Sequence, residues 1–342
     1  METRREPEPV GEEPAAQQAS EQPADLALEP AQDELGPVPD AQVAEEAATH
    51  HAIPRVRPRT TEELDREPPP RRRYRTPVLV SLRELLASRE LLLTFVERDL
   101  RVRYKQAVLG GVWAVLQPLT LMVIFTVVFG RIANIPHGGV PYPIFSYSTL
   151  VPWGFFSGAI AYGTNAIVTN APIIRKTYCP RELFPISSVL SSGFDYLISL
   201  VILFGMLLAF GKPPQLTWIA FPLLLLILVL MITSLTMIVS AATVYFRDIR
   251  YATPMLLQVL LYATPIAYPL SQAKKALPPS LAALYPYLNP LVPVMDGFRR
   301  ILVFGQWPQW APLSFAGFGS AIALVVTFWW YKRIDRSFAD VI

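Results

Sequence analysis

The chain's 342 residues would allow two or three soluble domains, but charge is segregated along them: residues 1–77 hold 17 of the 27 acids and 10 of the 30 bases, a net of −7 against +10 for the remainder. One cysteine, Cys179, excludes a disulfide framework within one chain and argues against a Cys-built zinc site. Only three histidines occur, two of them adjacent (His50, His51), so a His-based metal site is not expected either.

Residues 1–77 are rich in Glu, Ala, Gln and Pro and contain a single aromatic, Tyr74. Too little apolar surface is present to offset ordering entropy, so a disordered, acidic, Pro-rich cytoplasmic tail is predicted. No apolar core follows its first charges, so it does not read as a signal peptide. The run Arg71, Arg72, Arg73 with Arg75 suits either anionic headgroups or a solvated linker end.

Residues 78–105 change character. Leu82, Leu85, Leu86, Leu93, Val96 and Leu100 recur at helical spacing, Ser81 is placed to cap the helix start, and Glu84 is its capping-box partner. An amphipathic interfacial helix is predicted, with Arg98, Arg101 and Arg103 at its basic end. Residues 106–130 then carry no charge over 25 positions, whereas about 20 helical residues cross a bilayer core. Basic residues before this span place its entry in the cytoplasm.

Uncharged or nearly uncharged runs recur after it. Between Arg131 and Arg175 the sole acidic or basic side chain is His137, and a second span is expected over 143–166. Polar, basic residues 169–185 return to the cytoplasm. A third span follows over 184–210, with Asp195 inside it, where a partner, a water path or a helix-end location is required. The fourth runs over 218–245. The fifth, over 251–273, holds Pro254, Pro265 and Pro269 and should be kinked. Residues 274–312 are too interrupted for a full span and suit two short re-entrant helices, 280–288 and 292–304. The sixth span covers 313–331. The expectation is an all-α integral membrane protein with a six-span domain over 106–342 and both termini cytoplasmic.

Three stretches then add up to a resemblance: Leu109, Gly110, Gly111, Val112 and Trp113 with Pro118, Phe129 and Gly130; Asn170 to Lys176 with Pro180, Arg181, Glu182 and Pro185; and Tyr245 to Ile249, Asn289–Pro290 and the ending Phe338 to Ile342. In order and spacing, over residues 80–342, they resemble the permease subunit of type-2 ABC exporters that move O-antigen, capsular polysaccharide or teichoic acid. The resemblance implies a homodimer, two copies of a nucleotide-binding ATPase subunit, a lipid-linked glycan and the bacterial inner membrane. It also makes 170–182 a coupling helix, through Asn170, Ile174, Arg175, Lys176, Arg181 and Glu182, with an Asn cap and an early proline.

No Walker loop occurs, so no nucleotide is expected to bind this chain by that route; the resemblance implies that ATP and Mg belong to the partner subunit, and neither enzymatic activity nor a nucleic-acid partner is expected of this chain. Sugars stack on aromatic faces, which makes Phe125, Phe129, Trp153 and Phe156 candidates for lining the pathway. A type-2 exporter of a small drug or lipid would share the spans but need fewer pore aromatics. An ATP-independent carrier or scaffold is the rival from another class.

Overall fold

The computed structural model describes residues 87–105, 111–176 and 179–334. The tail, the Ser81 cap with Glu84, Gly110 and the closing 338–342 motif lie outside the described residues. Among those described there is no strand, and four helical stretches are long and apolar enough to cross a bilayer: Val112–Ile132, Leu183–Ala209, Leu216–Tyr245 and Trp310–Ile334.

Helix α1 (Arg89–Tyr104) precedes α2 (Val112–Phe125), which continues through the wider turns of Thr126–Ile132. Next come α3 (Tyr142–Thr164), the short α4 (Ala166–Thr169) and α5 (Ala171–Lys176), and the long α6 (Leu183–Ala209). A 3₁₀ turn, Leu216–Ala220, leads into α7 (Phe221–Tyr245). Then follow α8 (Ile249–Ala263), α9 (Leu270–Ala276), α10 (Pro279–Leu288), α11 (Leu291–Arg299) and its continuation Arg300–Phe304, and finally α12 (Trp310–Ile334).

Helix α3 is the centre of the bundle. Its 23 residues are too rich in Ser, Gly and aromatics to stand out as an apolar run, yet most of them are buried against α6, α7, α2, α11 and α8. A Cβ at Gly163 would come within 2.0 Å of Thr236 Cγ2, so the approach of α3 to α7 depends on that glycine. By contrast nothing among the described residues lies within 4 Å of a Cβ built at Gly111.

Two expected elements differ in detail. The apolar face that α1 packs is Leu92 and Phe95, not Leu93, which is exposed. Phe95 stacks on Phe184 at 5.1 Å, Ser187 Oγ donates to Asp99 Oδ2 at 3.0 Å, and Arg103 reaches Ser191 at 3.4 Å. These pairs keep nearly constant offset, so α1 runs parallel to the first half of α6. The fifth span is not a kinked helix but a broken one. Its first part, α8, has 15 residues and spans roughly 22 Å, short of the roughly 30 Å apolar layer. Thr264, extended ahead of Pro265, ends it.

Internal donors satisfy the carbonyls freed at that break. Tyr142 Oη donates to Ala267 O at 2.5 Å and Thr149 Oγ1 to Ile266 O at 3.1 Å. Arg299 donates to Tyr268 O at 3.1 Å, to Phe145 O at 3.3 Å, to Thr149 Oγ1 at 3.0 Å and to Ile266 O. Its guanidinium also lies 3.9 Å from the Phe145 ring centroid. Irregular backbone at membrane depth requires such partners. Arg299 is 1% exposed, a buried cation acting as a core strut. Every residue of α11 is buried, whereas α10 buries only Pro286.

Candidate functional site: an aromatic and polar groove

Four elements, α1, α2, α3 and α6, enclose a cavity of about 540 Å³. Trp113, Trp153, Tyr162 and Tyr196 supply aromatic walls, and Gln117 and Asp195 supply polar ones. The open side of α3 carries Gly154, Ser157 and Gly158 at helical spacing. A Cβ at either glycine would meet nothing within 4 Å, so backbone is exposed to whatever occupies the groove. A second cavity of about 530 Å³ adjoins it, lined by Arg98, Asn165 and Asn170 and sharing Arg103 and Tyr162 with the first.

Arg103 marks the junction. Its guanidinium stacks 3.7 Å over the Tyr162 ring and pairs with Asp195. Tyr104 Oη donates to the other Asp195 oxygen. Burial above all, and then that carboxylate, push the Tyr104 phenol up to about 12, so it stays a donor at physiological pH. The partner required for Asp195 is thus supplied by α1. Arg98, held to Asp99 at 2.7 Å, lines the second cavity, while Arg101 is exposed and pairs with Glu97 on its own helix.

The four aromatics expected to line the pathway do not act together. Trp153 lines the groove. Phe125 and Phe129 pack edge to face at 5.2 Å in the apolar core and line none of the cavities described here. Phe156 is fully buried and borders a separate apolar cavity of about 720 Å³ between α3, α7, α8, α10 and α12. Trp113, Gln117 and Tyr162 were missed as lining residues. The signal for them was the small-residue stripe of Gly154, Ser157 and Gly158 one turn before Tyr162.

At the expected coupling helix, α5 exposes Pro172, Arg175 and Lys176. Asn170 is no side-chain cap: its amide donates back to Ala166 O at 2.7 Å, while its backbone carbonyl accepts from Ile173 and Ile174. Ile174 is half-buried, packed toward Ile167 and Phe184. Glu182 departs furthest from expectation. It is 0% exposed and pairs with Lys332 at the end of α12, so its carboxylate faces inward rather than toward another protein. Arg181 is half-buried, and its carbonyl accepts from Tyr331 Oη at 3.2 Å.

A sequence model of the ABC-2 type transporter family matches residues 90–303. The chain is 31% identical over 258 residues to the O-antigen export system permease protein RfbA of Myxococcus xanthus, covering 75% of this chain and 95% of that protein. It is 27% identical over 255 residues to RfbA of Klebsiella pneumoniae, covering 74% and 95%. To the polysialic acid transport protein KpsM of Escherichia coli it is 22% identical over 247 residues, covering 70% and 92%. Helices of membrane-spanning length, a central groove and this match over most of its length identify the chain as a member of the ABC-2 type transporter family.

Proposed function

We propose that this chain is the membrane subunit of an ATP-driven exporter of a lipid-linked polysaccharide, and that the groove along α3 belongs to the glycan route. The groove is the observation that supports this best. Sugar rings present apolar C–H faces and a rim of hydroxyls, and Trp113, Trp153 and Tyr162 beside Gln117 and Asp195 match both. The relatives named for O-antigen and polysialic acid favour a polymer over a small drug.

In this reading α3 and the broken α8 segment cross the membrane as well, which makes six crossings, and α10 and α11 form a re-entrant gate at the outer end. Arg175, Lys176, Arg247, Arg250, Lys332 and Arg333 then face the cytoplasm of a bacterial inner membrane. Counting about 20 residues back from Ala209 leaves Asp195 in the inner part of α6. Two copies of the chain form the pathway, and α5 of each docks an ATPase subunit through Arg175 and Lys176. The test is a deletion of the gene, scored for surface polysaccharide. Wild type restores export, and a Trp113→Ala, Trp153→Ala double variant that reaches normal membrane levels does not. Full export by that variant overturns the assignment of the groove.

A further inference from the structure

The groove is not the only polar cavity. At the opposite end of the bundle, the 136–139 loop, the start of α9, the end of α11 and the 306–309 segment surround a cavity of about 490 Å³. That volume falls within the roughly 300–1,000 Å³ of small-molecule clefts. Phe145 and Phe304 form its apolar wall, ring centroids 6.4 Å apart. Gly138 adopts φ +68° and a Cβ there would strike the Phe304 ring at 2.7 Å, which seats the loop tightly over that ring.

The polar wall is preset and underused. Arg300 is fixed by donation from Nε to Trp307 O at 3.0 Å, and its Nη1 stands 3.9 Å from Asp296 Oδ2, which leaves the rest of the guanidinium for a ligand. Lys274 and Gln309 are half-buried, line the cavity, and make no side-chain hydrogen bond or ion pair among the described residues. Half-buried donors without a partner in the protein are available to bond an occupant of the cavity. With Asp296 set against Arg300, the ammonium of Lys274 is the excess charge. The occupant should therefore be anionic, with hydroxyls for Gln309 and an apolar face for the two rings.

We infer that this cavity is an outer-side subsite for an acidic saccharide, one bearing a carboxylate on the sugar ring. The inference deepens the polysaccharide-export reading and rests on it for sidedness, but its test does not depend on transport. Saturation-transfer NMR on the full chain in zwitterionic nanodiscs, with glucuronic acid and glucose as probes, reads occupancy directly. Glucuronic acid should give a signal that Lys274→Met weakens about tenfold, the loss of one charge-assisted hydrogen bond, while glucose binds weakly to both proteins. An unchanged melting temperature shows that the variant is folded, and Gln309→Ala serves as a second, milder variant.

Three results overturn the inference: no glucuronic acid signal, equal signals from wild type and both variants, or displacement of glucuronic acid when phosphatidylglycerol is added to the nanodiscs, which would make the site a lipid-headgroup site. Any of them alongside intact polysaccharide export would leave the export reading standing.

Discussion

Asp195 shows how a single residue organises its surroundings. A carboxylate inside an apolar helix needs a cation, and Arg103 and Tyr104 meet that need from 92 and 91 residues away. The side chains of Arg103 and Asp195 are 15% and 22% exposed, so water screens the pair only in part. Asp195→Asn should cost about 1–3 kcal/mol, visible as a lower melting temperature of the purified protein. Combining Asp195→Leu with Arg103→Met should recover part of the loss caused by Asp195→Leu alone, because the pair disappears together. An Asp195→Asn protein that melts like wild type would mean that α1 is held without this pair, by Phe95, Leu92 and the Ser187–Asp99 bond.

Glu182 and Arg175 separate at the same scale, although the sequence places them together. Removing the fully buried Glu182 leaves Lys332 without its partner and should destabilise the protein by about 3–5 kcal/mol. Replacing exposed Arg175 and Lys176 with Ala should shift stability by no more than about 0.5 kcal/mol while weakening capture of the ATPase subunit. Membrane levels of each variant, measured beside ATPase pull-down, distinguish the two roles. Pull-down equal to wild type for the Arg175, Lys176 double variant would remove α5 from the docking surface.

At the scale of elements, the broken α8 segment is the feature with the largest consequence. Arg299→Met would leave the Tyr268 carbonyl without its donor, an orphan costing about 1–3 kcal/mol, and would leave Ile266 O with Thr149 alone and the core without its buried cation–π contact on Phe145. Loss of folded protein from the membrane is the expected outcome. Recovery of folded Arg299→Met protein at wild-type yield would show that the break holds without it.

Long uncharged runs were legible as membrane helices because length and charge act locally. The break after Ala263 was legible only as a kink, because prolines do not announce where the freed carbonyls find donors. The burial of α11 was not legible at all, since an apolar helix sheathed by protein and one facing lipid have the same composition. Nor was the Glu182–Lys332 pair, whose members lie 150 residues apart and share no motif. Trp153 borders the groove whereas Phe125 and Phe129 pack with the apolar core, a difference hidden in the sequence because ring content does not reveal which way a helix turns.

For the whole molecule, the proposed homodimer has to pair through a face that one copy leaves uncovered. Helix α2 buries only Phe125 and leaves Val112, Trp113, Val123 and Ile124 exposed, with Trp113 lining the groove. A second copy would close that side, and native mass spectrometry of the purified complex should find two copies of this chain with two ATPase subunits. The central claim is that glycan passes along α3. In a Cys179→Ser background, a single cysteine at Ser157 should react with a water-soluble maleimide in inside-out vesicles, and its modification should stop ATP-driven polysaccharide uptake. A cysteine at Leu226, exposed on α7 away from the groove, is the control and should leave uptake unchanged. Full uptake after complete modification at position 157 would contradict passage through the groove.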